Sequence, residues 1–168
     1  RIRSRGLGDV YKRQYLNNDG TLDPHLNFEE LLKNNEGVAI FSGTINGLVG
    51  QLFNKGKFSE IEKLYSKLKQ KYGDKFYIEI QRHGDQNEIS FEKFNLSQSL
   101  NLEISIIATN EVFYSNKDMY EAHDALICIK NKTYVNEKNR IKYSNQHYLK
   151  DNSEMSELFS DLPEALEN

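Results

Sequence analysis

Three short apolar runs alternate with segments of helical periodicity, and nothing else in the chain restricts its fold as much. Residues 38–41, Val-Ala-Ile-Phe between Gly37 and Gly43, have the unbroken apolar character of a strand buried on both faces. Phe76, Ile78 and Ile80 alternate with Tyr77, Glu79 and Gln81, which reads as a second strand. Residues 103–108, Glu-Ile-Ser-Ile-Ile-Ala, read as a third, ending at Thr109 and Asn110. Between the first two, Leu48, Val49, Leu52 and Phe53 recur at helical spacing up to Gly56, and Phe58, Ile61, Leu64, Tyr65 and Leu68 do so before Gly73. Residues 89–100 predict another helix, and Met119, Ala122, Leu126 and Ile129 predict one over 119–129. Near the start, Asn27 can cap a short helix carrying Glu29 and Glu30 in its first turn. The alternation gives an α/β fold with parallel strands, as a barrel or an open sheet. In either case ligands gather at the C-terminal ends of strands, here residues 42–44, 82–85 and 109–114.

At 168 residues the chain suits one domain. Its 22 Lys+Arg against 25 Asp+Glu leave a net charge of -3, so no basic field covers the whole surface as a nucleic-acid binder would show. A single cysteine, Cys128, excludes an internal disulfide framework and a cysteine-rich zinc cluster, in keeping with a reducing cytoplasm. The longest apolar stretches fall far short of the ~20 residues that cross a bilayer. Residues 131–148 are charged and weakly periodic, and read as a surface connection. Asp151 followed by Glu154 then permits a capping box opening a short helix through Met155, Leu158 and Phe159, and Pro163 suits the first turn of another.

Residue types alone offer little chemistry. His25, His83, His123 and His147 form no His-x-His or His-x-x-x-His pair, so no metal motif is visible. Arg82, His83 and Asp85 follow a strand and put a guanidinium, an imidazole and a carboxylate at its end; the functional reading is a phosphate or metal contact, the bland one a polar loop. His123 sits on a helix beside Glu121 and Asp124, while His25 and His147 lie in loop-like contexts that suggest nothing specific. Gly43-Thr44-Ile45-Asn46-Gly47 links a strand to a helix, yet it matches neither phosphate-binding glycine pattern and reads as a tight turn. Cys128 reads as a buried thiol. No closely spaced Asp-x-Asp is present to hold two magnesium ions.

Four blocks together resemble the alpha subunits of bacterial DNA polymerase III. They are residues 41–52 (FSGTINGLVGQL), 75–88 (KFYIEIQRHGDQNE), 107–114 (IATNEVFY) with 121–129 (EAHDALICI), and 148–168 (YLKDNSEMSELFSDLPEALEN). The last block is the most specific, being similar to the stretch where the polymerase and histidinol phosphatase (PHP) domain hands over to the polymerase core. The resemblance implies the later part of a distorted (β/α) PHP-type barrel, with a C-terminal helical connection toward that core. On this division residues 1–14 are a leader, 15–135 a partial PHP domain and 136–168 the connection. Within the leader, DVYKRQ resembles the translated end of a transposase sequencing adaptor, and the absence of Met before Met119 suggests a piece of a longer protein.

In family members that keep a PHP metal centre the strand-end motif reads Ala-Thr-Asn-Asp-Val-His-Tyr, its Asp and His being ligands. The matching positions here are Glu111 and Phe113, and the family's cysteine ligand falls at Thr44. Phenylalanine cannot coordinate a cation, so the resemblance implies a degenerate PHP scaffold with no metal and no cofactor of its own. The parent would be the replicative DNA-directed DNA polymerase, a Mg2+-dependent nucleotidyltransferase of the cytoplasm acting on DNA and dNTPs. Its catalytic aspartates lie downstream of this stretch in the family. Implied partners are the rest of the alpha subunit and a proofreading exonuclease, with no membrane. The alternative is a metal-dependent PHP phosphoesterase or exonuclease using Glu111, His83 and a histidine cluster from an earlier part of the domain.

Overall fold

The structure is a computed structural model that describes residues 28–33 and 37–168. The expected leader, the Asn27 cap and His25 lie outside the described residues. Two compact units are present, Arg1–Val38 and Ala39–Asn168. The described element of the first is a helix, α1 (Phe28–Lys33), with Lys33 in its last turn.

In the second unit the alternation becomes β1 (Ile40–Phe41), α2 (Leu48–Asn54), α3 (Phe58–Tyr72), β2 (Phe76–Ile80), α4 (Gln86–Leu102) and β3 (Ile106–Ala108). The three strands form one parallel sheet in the order β1-β2-β3. Ile40 pairs with Phe76, and Ile78 with Ile106. Each neighbour is reached through helices, as parallel pairing requires. The remaining elements are α5 (Tyr120–Asn131), α6 (Asn152–Leu158) and α7 (Glu164–Glu167). A small parallel sheet flanked by helices is therefore present, and among the described residues its strands do not close into a barrel.

Period-two burial explains β2: Phe76, Ile78 and Ile80 are buried while Tyr77 and Glu79 are half-buried. Each such side chain contributes roughly 1.5–3 kcal/mol. Ile61, Tyr65 and Leu68 of α3 are buried, as are Phe91 and Asn95 of α4. Between these two helices the Tyr65 hydroxyl donates to Asn95 Oδ1 at 2.9 Å in the core. Asn95 Nδ2 is the buried side-chain polar atom left without a hydrogen-bond partner among the described residues. Phe53, Phe58, Phe91 and Phe94 make edge and tilted ring contacts of 5.3–5.6 Å that join α2, α3 and α4. Gly50 permits the sharp entry into α2, since a Cβ there would come within 1.9 Å of the Ile45 carbonyl oxygen.

Several expectations change. The strand expected over 38–41 is only Ile40–Phe41, and it is not buried on both faces: Val38 and Phe41 are 42% and 43% exposed, because among the described residues β1 is an edge strand with β2 on one side only. The third strand is shorter than 103–108, because Glu103 instead closes α4 in the left-handed conformation at φ 52°. The helix expected over 119–129 forms, but Met119, Leu126 and Ile129 point outward at 45%, 63% and 73% exposure, while Asp124 and Cys128 face inward. Residues 131–148 are not a bare surface connection. Arg140 reaches Asp124 through two hydrogen bonds of 2.5 and 2.7 Å, with only 4% and 9% of the two side chains exposed, and this holds the segment against α5.

Candidate functional site

The three strand-end segments converge with the residues before α6. Ser42 continues the β1–β2 ladder, its N–H donating to the Tyr77 carbonyl at 3.0 Å, and the chain then turns through Gly43 at φ 83°. Thr44 closes the turn by accepting from the Gly47 N–H at 2.9 Å. On the far side, Phe113 and Tyr114 N–H groups donate to the His147 carbonyl, and the Leu149 N–H donates to that of Tyr114. This short parallel bridge carries His147 to the strand ends. The resulting cavity has a volume of about 540 Å³, and Thr44, His83, Asp85, Glu111, Lys142 and His147 are among the residues lining it.

His83 and His147 stack face to face, with centroids 4.0 Å apart and planes 4° from parallel. Both are buried. The Glu111 N–H donates to His83 Nε2 at 3.2 Å, which leaves the ring proton on Nδ1, facing Glu88 Oε1 at 3.1 Å. Glu88 also accepts from the N–H groups of His83 and Asp85, at 2.7 and 3.2 Å. It thereby closes the capping box of α4 with Asp85. Burial works to raise the Glu88 carboxyl, but its hydrogen bonds from His83 and Asp85 outweigh this and hold it below the usual carboxylate range. His147 Nδ1 lies 3.2 Å from the Glu111 carbonyl oxygen. Burial, reinforced by the neighbouring His83, pushes the His147 imidazole down to about 4.

The column of rings continues. Phe113 stacks on His147 at 4.9 Å and on His123 at 5.4 Å, with Tyr143 tilted against it at 4.6 Å. Of the degenerate metal positions, Thr44 and Glu111 line the cavity and Phe113 stands in the column beside it. These positions do not fit a metal ion. Phe113 offers no lone pair, both nitrogens of His83 are engaged, and among the described residues no group of three or more His, Cys, Asp or Glu could hold one.

The polar trio at the end of β2 separates. His83 and Asp85 reach the cavity, whereas Arg82 is absent from its lining. Its guanidinium is bound by Glu92 at 2.6 and 3.0 Å, by Asp161 at 2.6 and 3.0 Å and by the Leu158 carbonyl at 2.7 Å. These carboxylates hold Arg82 firmly in its charged form. His147 lies in a loop, as its sequence context suggests, but its place at the cavity beside the Tyr114–Tyr148 bridge is what sequence reading misses. Its signal was faint, since only the neighbouring tyrosines Tyr143 and Tyr148 set that polar segment apart. Cys128 is buried, as its apolar surroundings suggested.

Comparison with known sequences adds the lineage. The PHP domain family profile matches residues 5–83, from within the expected leader to His83. The DNA polymerase III subunit alpha of Caulobacter vibrioides is 32% identical over 162 residues, 96% of this chain and 14% of the relative. The proteins of the same name from Rickettsia prowazekii and Borreliella burgdorferi are 36% and 34% identical over 92% and 86% of this chain, and 13% of each relative. The chain thus spans about one seventh of the length of the curated relatives it matches. Over nearly all of its length the chain is similar to one stretch of the DNA polymerase III alpha subunits, and its residues 5–83 match the PHP domain.

Proposed function

We propose that this chain serves as a PHP scaffold without hydrolytic activity in a replicative DNA-directed DNA polymerase, and that its sheet is the later part of a distorted (β/α) barrel. The observation that carries the reading is the ring column: Phe113 lies between the rings of His147 and His123, at a position where metal-bearing relatives have a ligand. A column of stacked rings holds the strand ends together by packing, with no cation required. Parallel strands with helical crossovers support the barrel reading. In the whole protein, other segments would carry the Mg2+-dependent polymerase chemistry on DNA and dNTPs in the cytoplasm. This part would support the polymerase core and offer a surface to a proofreading exonuclease. Among the described residues, no helix is long and apolar enough to cross a membrane.

The second reading, a metal-dependent phosphoesterase or exonuclease, draws on the cavity of about 540 Å³ with His83, Glu111 and His147 in its wall. Calorimetric titration of the full chain with Mn2+ and Zn2+, together with assays on p-nitrophenyl phosphate and single-stranded DNA, separates the two. The scaffold reading expects no stoichiometric binding and no turnover. Metal-dependent turnover that is lost in His147→Ala would establish the phosphoesterase instead.

A further inference from the structure

The end of β2 grips its surroundings in two directions through consecutive residues. Arg82 faces the C-terminal segment: its guanidinium makes the five hydrogen bonds to Glu92, Asp161 and Leu158 described above, and its Cζ lies 4.7 Å from the centroid of the Phe159 ring. Phe159 itself is fully buried, so this contact anchors the segment to the core. His83 faces the cavity, where Glu88, Glu111 and His147 surround its ring. The two carboxylates that receive these side chains, Glu92 and Glu88, stand one turn apart on α4.

We infer that Arg82 and His83 form a latch that couples the cavity wall to residues 152–168, so that loosening either side loosens the other. Arg82 and His83 lie in the loop directly after β2, with their Cα atoms only ~3.8 Å apart across one planar peptide unit, so a backbone displacement at one is felt at the other. Their partners also share a rigid helix, so a shift of α4 that releases Glu92 from Arg82 displaces Glu88 from His83. Bidentate carboxylate pairing makes the arrangement directional as well as strong. Thermodynamic linkage then requires the coupling to be reciprocal. The latch does not depend on what the cavity binds, so it stands or falls apart from the scaffold reading.

Amide hydrogen exchange on the full chain tests it. Asp161→Ala removes one arm at a side chain that is 67% exposed. The variant is expected to speed exchange by roughly fivefold or more, both in residues 152–168 and at the Glu111 and Phe113 amides across the cavity. Those two amides donate to His83 Nε2 and to the His147 carbonyl. In the reverse direction, Glu88→Gln is expected to speed exchange at the Phe159 and Leu162 amides. Acceleration confined to 152–168 in the first variant, or to the cavity wall in the second, would overturn the latch. Should Glu88→Gln fail to fold, Asp161→Ala alone decides the matter.

Discussion

His147 is buried against a second imidazole, so protonation costs it both solvent and repulsion from His83. Its folded value of about 4 lies below the ordinary 6.5. Above pH 6.5 the ring is neutral in both states and adds no pH dependence. Between 6.5 and about 4 the unfolded chain takes up a proton that the folded chain refuses, so stability is lost as pH falls through this window. The loss is on the order of 3 kcal/mol at most. Urea midpoints at pH 7 and pH 4.5 should therefore converge in His147→Phe; an unchanged pH slope in that variant would refute the assignment. Phe113 supports a second expectation, because His123 and His147 flank it and Glu111 Oε2 lies 3.8 Å from His147 Nδ1. On the scaffold reading, Phe113→His should gain calorimetric Zn2+ binding relative to the parent chain, and a flat titration would show that the column cannot open. Deep in the core, Tyr65→Phe leaves Asn95 Oδ1 without its donor beside an already unpartnered Nδ2. That should cost roughly 1–3 kcal/mol in urea denaturation.

At the scale of elements, α5 shows how a sequence can give the right helix and the wrong face. Met119, Ala122, Leu126 and Ile129 satisfy helical spacing, yet the buried side is set by Asp124, whose carboxylate Arg140 holds below the usual range. Charged residues read as solvated by default, and only a partner 16 positions away reverses that reading. Replacing Arg140 by Met should free residues 132–147, and limited trypsin digestion should then cut at Lys138 or Lys142 faster than in the parent chain. Equal rates would mean that other contacts secure the segment. Where local chemistry decides, the sequence was legible. The period of β2, the spacing in α2 and α3, and the Asp151–Glu154 capping box all formed where read. The strand-end rule likewise named three segments that meet at the cavity. What escaped were long-range arrangements: the bridge that delivers His147, the stack it joins, and the opposite directions taken by Arg82 and His83. None of these has a periodicity, since each depends on which distant backbone happens to lie alongside.

For the molecule as a whole, the outward apolar side chains of α5 leave a surface that water solvates poorly. Light scattering should detect concentration-dependent self-association of the chain, reduced by the pair Leu126→Lys and Ile129→Glu. A monomer at all concentrations would show that these side chains are tolerated singly. The sheet carries a different consequence. Every strand pair in it is parallel and joined through at least one helix, so no hairpin can form early and template the next strand. Its hydrogen bonds close only after an entire crossover has been ordered, and the entropy of that closure is lost before any strand contact repays it. Folding should accordingly be timed by the docking of α3 against α4 rather than by strand zippering. It belongs to a regime of roughly milliseconds or longer instead of microseconds, during which β1 and β3, the outer strands of the sheet among the described residues, stand open to pairing with another chain.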